Sequence, residues 1–269
     1  MLGTRMREVR KDAGLTARRL ALITGQHFTR VSKIENGTQV PTDQDIRAWC
    51  EACDAEEQVA SLIATAHAVE SAYQEFKRQA RAGMKHLTGP HTMERYAATT
   101  SFRIYEHQGI PAVFQTEAYC RSMAAFWIDF LGIPNDLDAA VADRMAKQEI
   151  VSWRGKTFRV VLEESALRIW FGTADVQAGQ LGRLLEVMTH PMVTLGIIPL
   201  MSERAPVASA GFWIFDDELV SLDTPTASIE VTRPEEVSLY EKLFDQYESN
   251  ARFGSEARAL IVRTLDDLH

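Results

Sequence analysis

Cysteine is scarce in this chain, with three in 269 residues. So few thiols cannot build a disulfide framework, which excludes the small stapled secreted folds and makes a reducing, cytoplasmic setting the expectation. No run of about 18 apolar residues occurs, so no transmembrane helix is expected. The opening MLGTRMREVRKDAG is charged and lacks the apolar centre of a secretory leader. Catalytic signatures are missing too: there is no G-x-S-x-G, no P-loop and no G-x-G-x-x-G. His67, His86, His91, His107 and His190 do not have metal-ligand spacing, and Cys50-x-x-Cys53 has no second ligand pair beside it. Glu163-Glu164 and Asp216-Asp217-Glu218 imitate paired-carboxylate sites, but a helix start and a hairpin turn account for them. The expectation is a protein that is not an enzyme and has neither cofactor nor metal.

What remains is an ordinary folded composition, 46% apolar and 25% charged, long enough for one large domain or two smaller ones. Charge is unevenly placed. Residues 1–39 hold eight Lys/Arg against three acids, a net of +5, in a chain whose total is −8. A small basic module on a large acidic body suggests contact with an anion such as nucleic acid.

The first 70 residues read as short helices. Leu2, Met6, Val9 and Ala13 form a helical stripe ending near Gly14. Thr16 caps a helix to Ile23, with Leu20 and Ile23 predicted inward. After Gly25 a third helix runs from Gln26 to Glu35, with Val31 and Ile34 inward, and Asn36-Gly37 ends it. Thr42 caps a fourth helix, 43–53. A fifth begins near Ala55, with Val59, Leu62, Ile63, Ala66 and Val69 inward, and extends toward Arg81. Gly83–Pro90 is the best boundary, so 1–70, an extension and linker at 71–90, and 91–269 are the predicted divisions.

Beyond the boundary the pattern is mixed. Residues 92–107 read as helix, or as strand near Ser101–Tyr105. Helices are predicted at 115–130, 136–150 (capped by Asp136), 175–188, 234–250 and 255–268. Strands are predicted at 157–162, 193–198, 211–215, 219–222 and 228–231. The fold class is therefore α+β, an all-helical amino-terminal module followed by a mixed α/β domain. Trp127, Trp153, Trp170 and Trp213 can line an apolar ligand pocket or simply fill a core.

Two helices joined at Gly25 meet the demands of a helix-turn-helix: a small residue in the turn, Ala21 four residues earlier for close packing, and a polar outer face on the second helix. LTARRLALITGQHFTRVSKIENG (15–37), and above all VSKIENGTQVPT (31–42), resembles the phage-repressor-like helix-turn-helix family of bacterial transcription regulators. Further segments extend the likeness: FRIYEHQGIPAVFQTEAY (102–119), VTLGIIPL (193–200) and GFWIFDDELV (211–220). They look like a large actinobacterial, antitoxin-like regulator family that joins this module to a carboxy-terminal domain of poorly defined role.

The resemblance implies residue roles. Phe28, Thr29, Ser32 and Lys33 fall at base-reading positions. Thr16, Ala17, Arg18, His27, Arg30 and Asn36 fall at phosphate-contacting ones. Ala17 stands where the family commonly has Gln, so that contact is lost or taken over by Arg18. Arg10 and Glu35 stand where the family often has a scaffold ion pair between its first and third helices. The implied partner is double-stranded DNA, bound as a homodimer on a near-palindromic operator, with no membrane association. Two alternatives stay open: an antitoxin-like protein that binds a small acidic partner protein from a neighbouring gene, and a sensor for a small-molecule effector.

Overall fold

The computed structural model describes residues 2–87, 91–204, 207–225 and 227–268, with only the backbone described at 68–74. It divides into two compact units, Met1–Glu75 and Phe76–His269. Residues 88–90 of the Gly83–Pro90 stretch, and the side chain of Val69, lie outside the described set.

The first unit holds the short helices α1 (Leu2–Asp12), α2 (Ala17–Ile23), α3 (Phe28–Glu35) and α4 (Asp43–Ala52), and most of the long α5 (Val59–Ala82), whose residues from Phe76 are assigned to the second unit. Gly14 and Gly25 take positive φ, +67° and +66°, which lets the chain reverse between α1 and α2 and between α2 and α3 without a Cβ penalty. Thr16 Oγ1 accepts from Arg19 N–H at 3.2 Å and starts α2. Thr42 and Asp45 form a reciprocal capping box at the start of α4. Met6, Leu20, Val31, Ile34, Ile46 and Trp49 are buried together, and Trp49 Nε1 donates to the Met6 carbonyl at 3.0 Å.

Three expectations shift. Helix α3 starts at Phe28 and not Gln26, because His27 has the extended conformation of an N-cap. Helix α1 stops at Asp12, which leaves Ala13 exposed. Ile23 is 47% exposed, because Ala21 takes the inward position beside Leu20 and the chain turns away at Gly25.

The second unit contains α6 (Met93–Ala98), β1 (Ser101–Glu106), α7 (Glu117–Leu131), α8 (Leu137–Lys147), β2 (Thr157–Glu163), α9 (Glu164–Arg168) and α10 (Ala174–Val187). It continues with β3 (Val193–Ile198), β4 (Phe212–Phe215), β5 (Leu219–Thr224), β6 (Ala227–Val231), α11 (Pro234–Asn250) and α12 (Gly254–Asp266). The ambiguous stretch 92–107 is helix and then strand. A six-stranded mixed sheet runs in the order β3-β2-β1-β4-β5-β6, so the fold is α+β. Strands β1, β2 and β3 are parallel and the remaining pairs antiparallel.

The parallel strands are buried on both faces, as crossover helices require. Phe102, Phe158, Val160, Leu195 and Trp213 face one core with Leu184 and Leu260. Tyr105, Val161, Phe212 and Ile214 face another with Phe244 and Tyr247 of α11. Lys156 is buried and donates to the carbonyls of Tyr96, Ala97 and Thr99, satisfying the end of α6. Asp136 does not cap α8 as expected. Its carboxylate accepts instead from Met84 N–H (2.8 Å) and Lys85 N–H (3.0 Å) in a 3-10 turn, Met84–His86. Among the described residues no helix is long and apolar enough to cross a membrane.

Strand β3 carries Gly196 where the chain at Arg252 bridges back to Ile197. A Cβ at Gly196 would sit 2.5 Å from the Phe253 ring and 2.9 Å from Ala251 Cβ. Gly196→Ala should therefore cost about 1–3 kcal/mol in urea unfolding. Gly179→Ala, on the exposed side of α10 with nothing within 4 Å, should gain about 0.5–1 kcal/mol.

Candidate nucleic-acid interface

Helix α3 is amphipathic in the manner a reading helix requires. Val31, Ile34 and Glu35 are buried, whereas Phe28, Thr29 and Lys33 are exposed and Ser32 is half-buried. Phe28 is 45% exposed and is therefore not core, and the Arg18 guanidinium lies 5.7 Å from its ring centre. Lys33 is exposed at the last turn and forms no ion pair among the described residues.

The predicted phosphate residues divide into two groups. Arg18 is exposed, and beside it the amides opening α2 at Ala17 and Arg18 are those a helix start leaves without intrahelical acceptors. The Ala17 side chain packs against the core, so only its backbone can serve. His27 Nδ1 accepts from Thr29 N–H at 3.3 Å and lies 2.6 Å from Thr29 Oγ1, which leaves Nε2 to carry the outward proton.

Arg30 and Asn36 are engaged within the module. Arg30 Nη2 donates to Asp45 Oδ2 at 2.6 Å and its Nε to Oδ1 at 3.2 Å. Asn36 Oδ1 accepts from Arg7 Nη2 at 2.6 Å, and its amide reaches Ser32 Oγ at 3.3 Å. Both are thus positioning groups in the free chain.

Two carboxylates hold this helix. The expected ion pair between α1 and α3 forms in bidentate fashion, Arg10 Nε to Glu35 Oε1 at 2.5 Å and Nη2 to Oε2 at 3.0 Å, and Arg7 adds a third arm at 3.1 Å. Asp45 receives Arg30, Gln26 Nε2 at 2.8 Å, and both the amide and the hydroxyl of Thr42 at 2.8 Å. Burial pushes both carboxyls up, but the opposing hydrogen bonds and charges win. Arg10 and Arg7 hold Glu35 below the ordinary carboxylate range, and Arg30 with Thr42 does the same for Asp45. The one acid of α3 is thereby neutralised and turned from its outer face.

Sequence reasoning missed Arg7 and Asp45. Arg7 lies one helical turn before Arg10 on the same side of α1, and Asp45 stands at the third position after the Thr42 cap. Both signals were readable as spacing. Cys50 and Cys53 are buried free thiols whose values burial raises, Cys53 to about 11, which suits packing rather than redox work.

Residues 91–263 match a family model described as a domain of unknown function, DUF5753. The chain belongs to the DUF5753 family. Ahead of the DUF5753 domain, residues 1–62 match the model of a helix-turn-helix domain, which covers α1 to α4 and the start of α5. No curated protein and no solved structure matches the chain.

Glu35→Gln leaves Arg10 buried with half its partner lost and should cost about 3 kcal/mol, read by chemical unfolding of the full chain. The depressed carboxyls set the sign of the pH effect. Their contribution is complete above the unfolded carboxylate values, about pH 4, and drains as pH falls toward the lower folded values. The melting temperature should drop through that range, and less steeply in Glu35→Gln than in the unaltered chain.

Proposed function

We propose that the protein is a sequence-specific DNA-binding transcription regulator that lays α3 in the major groove. The observation that carries this reading is the outer stripe of α3: Phe28, Thr29, Ser32 and Lys33, which has no ion pair among the described residues, share one side, while Val31 and Ile34 anchor the other. The match of residues 1–62 to a helix-turn-helix domain supports it.

Roles follow from side-chain chemistry. Lys33 donates to guanine O6 or N7, and Phe28 or the Thr29 methyl packs on a thymine methyl. Arg18, His27 Nε2 and the first amides of α2 contact phosphates and fix register. Arg30 and Asn36 hold α3 and add charge or polarity at its edge. A single eight-residue reading helix covers few base pairs, so the working form is a homodimer on a near-palindromic operator, its half-sites about one DNA turn apart.

The regulator acts without chemistry of its own, and the carboxylate clusters support that. Glu163 accepts from Tyr105 and Arg204, Glu164 from Arg168 and Leu200 N–H, and Asp216 from the amides of Thr100 and Ser101. These acids bind structural partners within the fold.

Selection of bound duplexes from a random pool, followed by anisotropy titration at several salt concentrations, tests the proposal. Affinity should fall steeply with salt, with a log–log slope of about −0.9 for each phosphate neutralised. Lys33→Ala should cost about 1–3 kcal/mol and relax preference at one base pair. Arg18→Ala should weaken all duplexes alike and flatten the slope by about one. Full operator affinity in both variants would show that α3 is not the reading element.

A further inference from the structure

The second unit contains a cavity of about 420 Å³, adjoined by a second of about 460 Å³. Met84, Gln115, Met123, Ala124, Trp127 and Arg144 line both, so they are two chambers of one space. Chambers of this size suit a drug-sized ligand.

The walls are mainly apolar, but the polar groups among them are not at rest. Gln115 is only 3% exposed. Its Nε2 donates to the Ile110 carbonyl at 2.7 Å, while its Oε1 has no partner among the described residues. An amide oxygen left so costs about 1–3 kcal/mol unless something donates to it. In the second chamber Ser228 Oγ is also buried without a partner. Glu106 lines the first chamber. Its Oε1 accepts from Trp213 Nε1 at 3.1 Å, and burial pushes its carboxyl up to about 7. Next to it His91 touches Tyr96 OH at 3.0 Å and packs edge-on against Trp213.

Charge is arranged differently toward the rim. Lys147 is paired with Asp143 at 2.5 Å, and Asp223 reaches His91 at 3.6 Å. Arg144 is half-buried, lines both chambers and forms no ion pair among the described residues. A guanidinium without a carboxylate, on the edge of an apolar space, is a site for an anion.

We propose that this double chamber binds a small amphipathic organic acid. Its apolar or aromatic body lies between Met123 and Trp127, its buried end donates a hydrogen bond to Gln115 Oε1, and its anionic group meets Arg144. The assignment goes beyond the DNA reading and does not depend on it, because binding is measured on the full chain without DNA.

Anilinonaphthalene sulfonate combines fused rings, an N–H and an anion, and serves as the probe. N-phenylnaphthylamine has the same rings and N–H without the anion. In fluorescence titration and equilibrium dialysis the sulfonate should bind saturably, one per chain, and raise the melting temperature. Ala124→Phe, which fills both chambers, should abolish binding. Should that variant fail to fold, Arg144→Gln decides: the sulfonate should bind about tenfold more weakly while the neutral amine is unaffected. Leu239→Ser, at an exposed side chain of α11 outside both linings, should change nothing. Several sites per chain, a lowered melting temperature, equal loss of both dyes in Arg144→Gln, or loss in Leu239→Ser would overturn the proposal.

Discussion

Asp45 of α4 holds the start of α3 through Gln26 and Arg30, and at the other end Arg7 and Arg10 of α1 hold the helix's own Glu35. An eight-residue helix has too few internal hydrogen bonds to set its own roll. The apolar contacts of Val31 and Ile34 say which side faces inward, but they tolerate rotation. Directional bonds to two buried carboxylates remove that freedom. They also sort the charges. The acids nearest α3 are spent on arginines inside the module, and Lys33 and Arg18 are left facing outward. One set of interactions thus gives the outer stripe both its aim and its sign.

The DUF5753 domain distributes its polar groups by another rule. Its central strands are largely buried, and the cations beside them find acceptors close at hand. Lys156 does this under α6, and Arg204 does it at Glu163. Lys156 donates to three carbonyls, as a buried charge requires, and the half-buried Arg204 to both oxygens of the buried Glu163. Gln115 Oε1, buried without a partner among the described residues, and Arg144, which forms no ion pair among them, both line the double chamber.

Much of this was legible in the sequence. Thr16, Gly25 and Thr42 signal their turns by residue type, and the α1–α3 ion pair could be anticipated from Arg10 and Glu35. The strands of the second unit were visible as short β-branched and aromatic runs. What escaped was tertiary. Ile23 has the spacing of a core residue, but its helix ends before the periodicity can assert itself. Arg30 looks like a phosphate contact, and only the folded position of Asp45 reveals its other task. Asp136 stands at a helix start, yet it serves amides half a domain earlier in the chain. Short α6 and α9 fall below the length at which a helical pattern declares itself, and the strand order is set by partners far apart in sequence.

One feature of the sheet bears on how the chain must be assembled. In the register of β1 with β2, Arg103 sits directly beside Arg159, two like charges on neighbouring strands. They are made tolerable by Asp217 and Glu241 for the first and Glu248 for the second, and the last two belong to α11. Strand β1 also lies at the centre, between β2 and the late-arriving β4. A nascent polypeptide therefore cannot complete this sheet as it leaves the ribosome. The β1–β2 pair gains its balancing acids Glu241 and Glu248 only once α11 is in place, whereas the amino-terminal helices depend on contacts nearer in sequence.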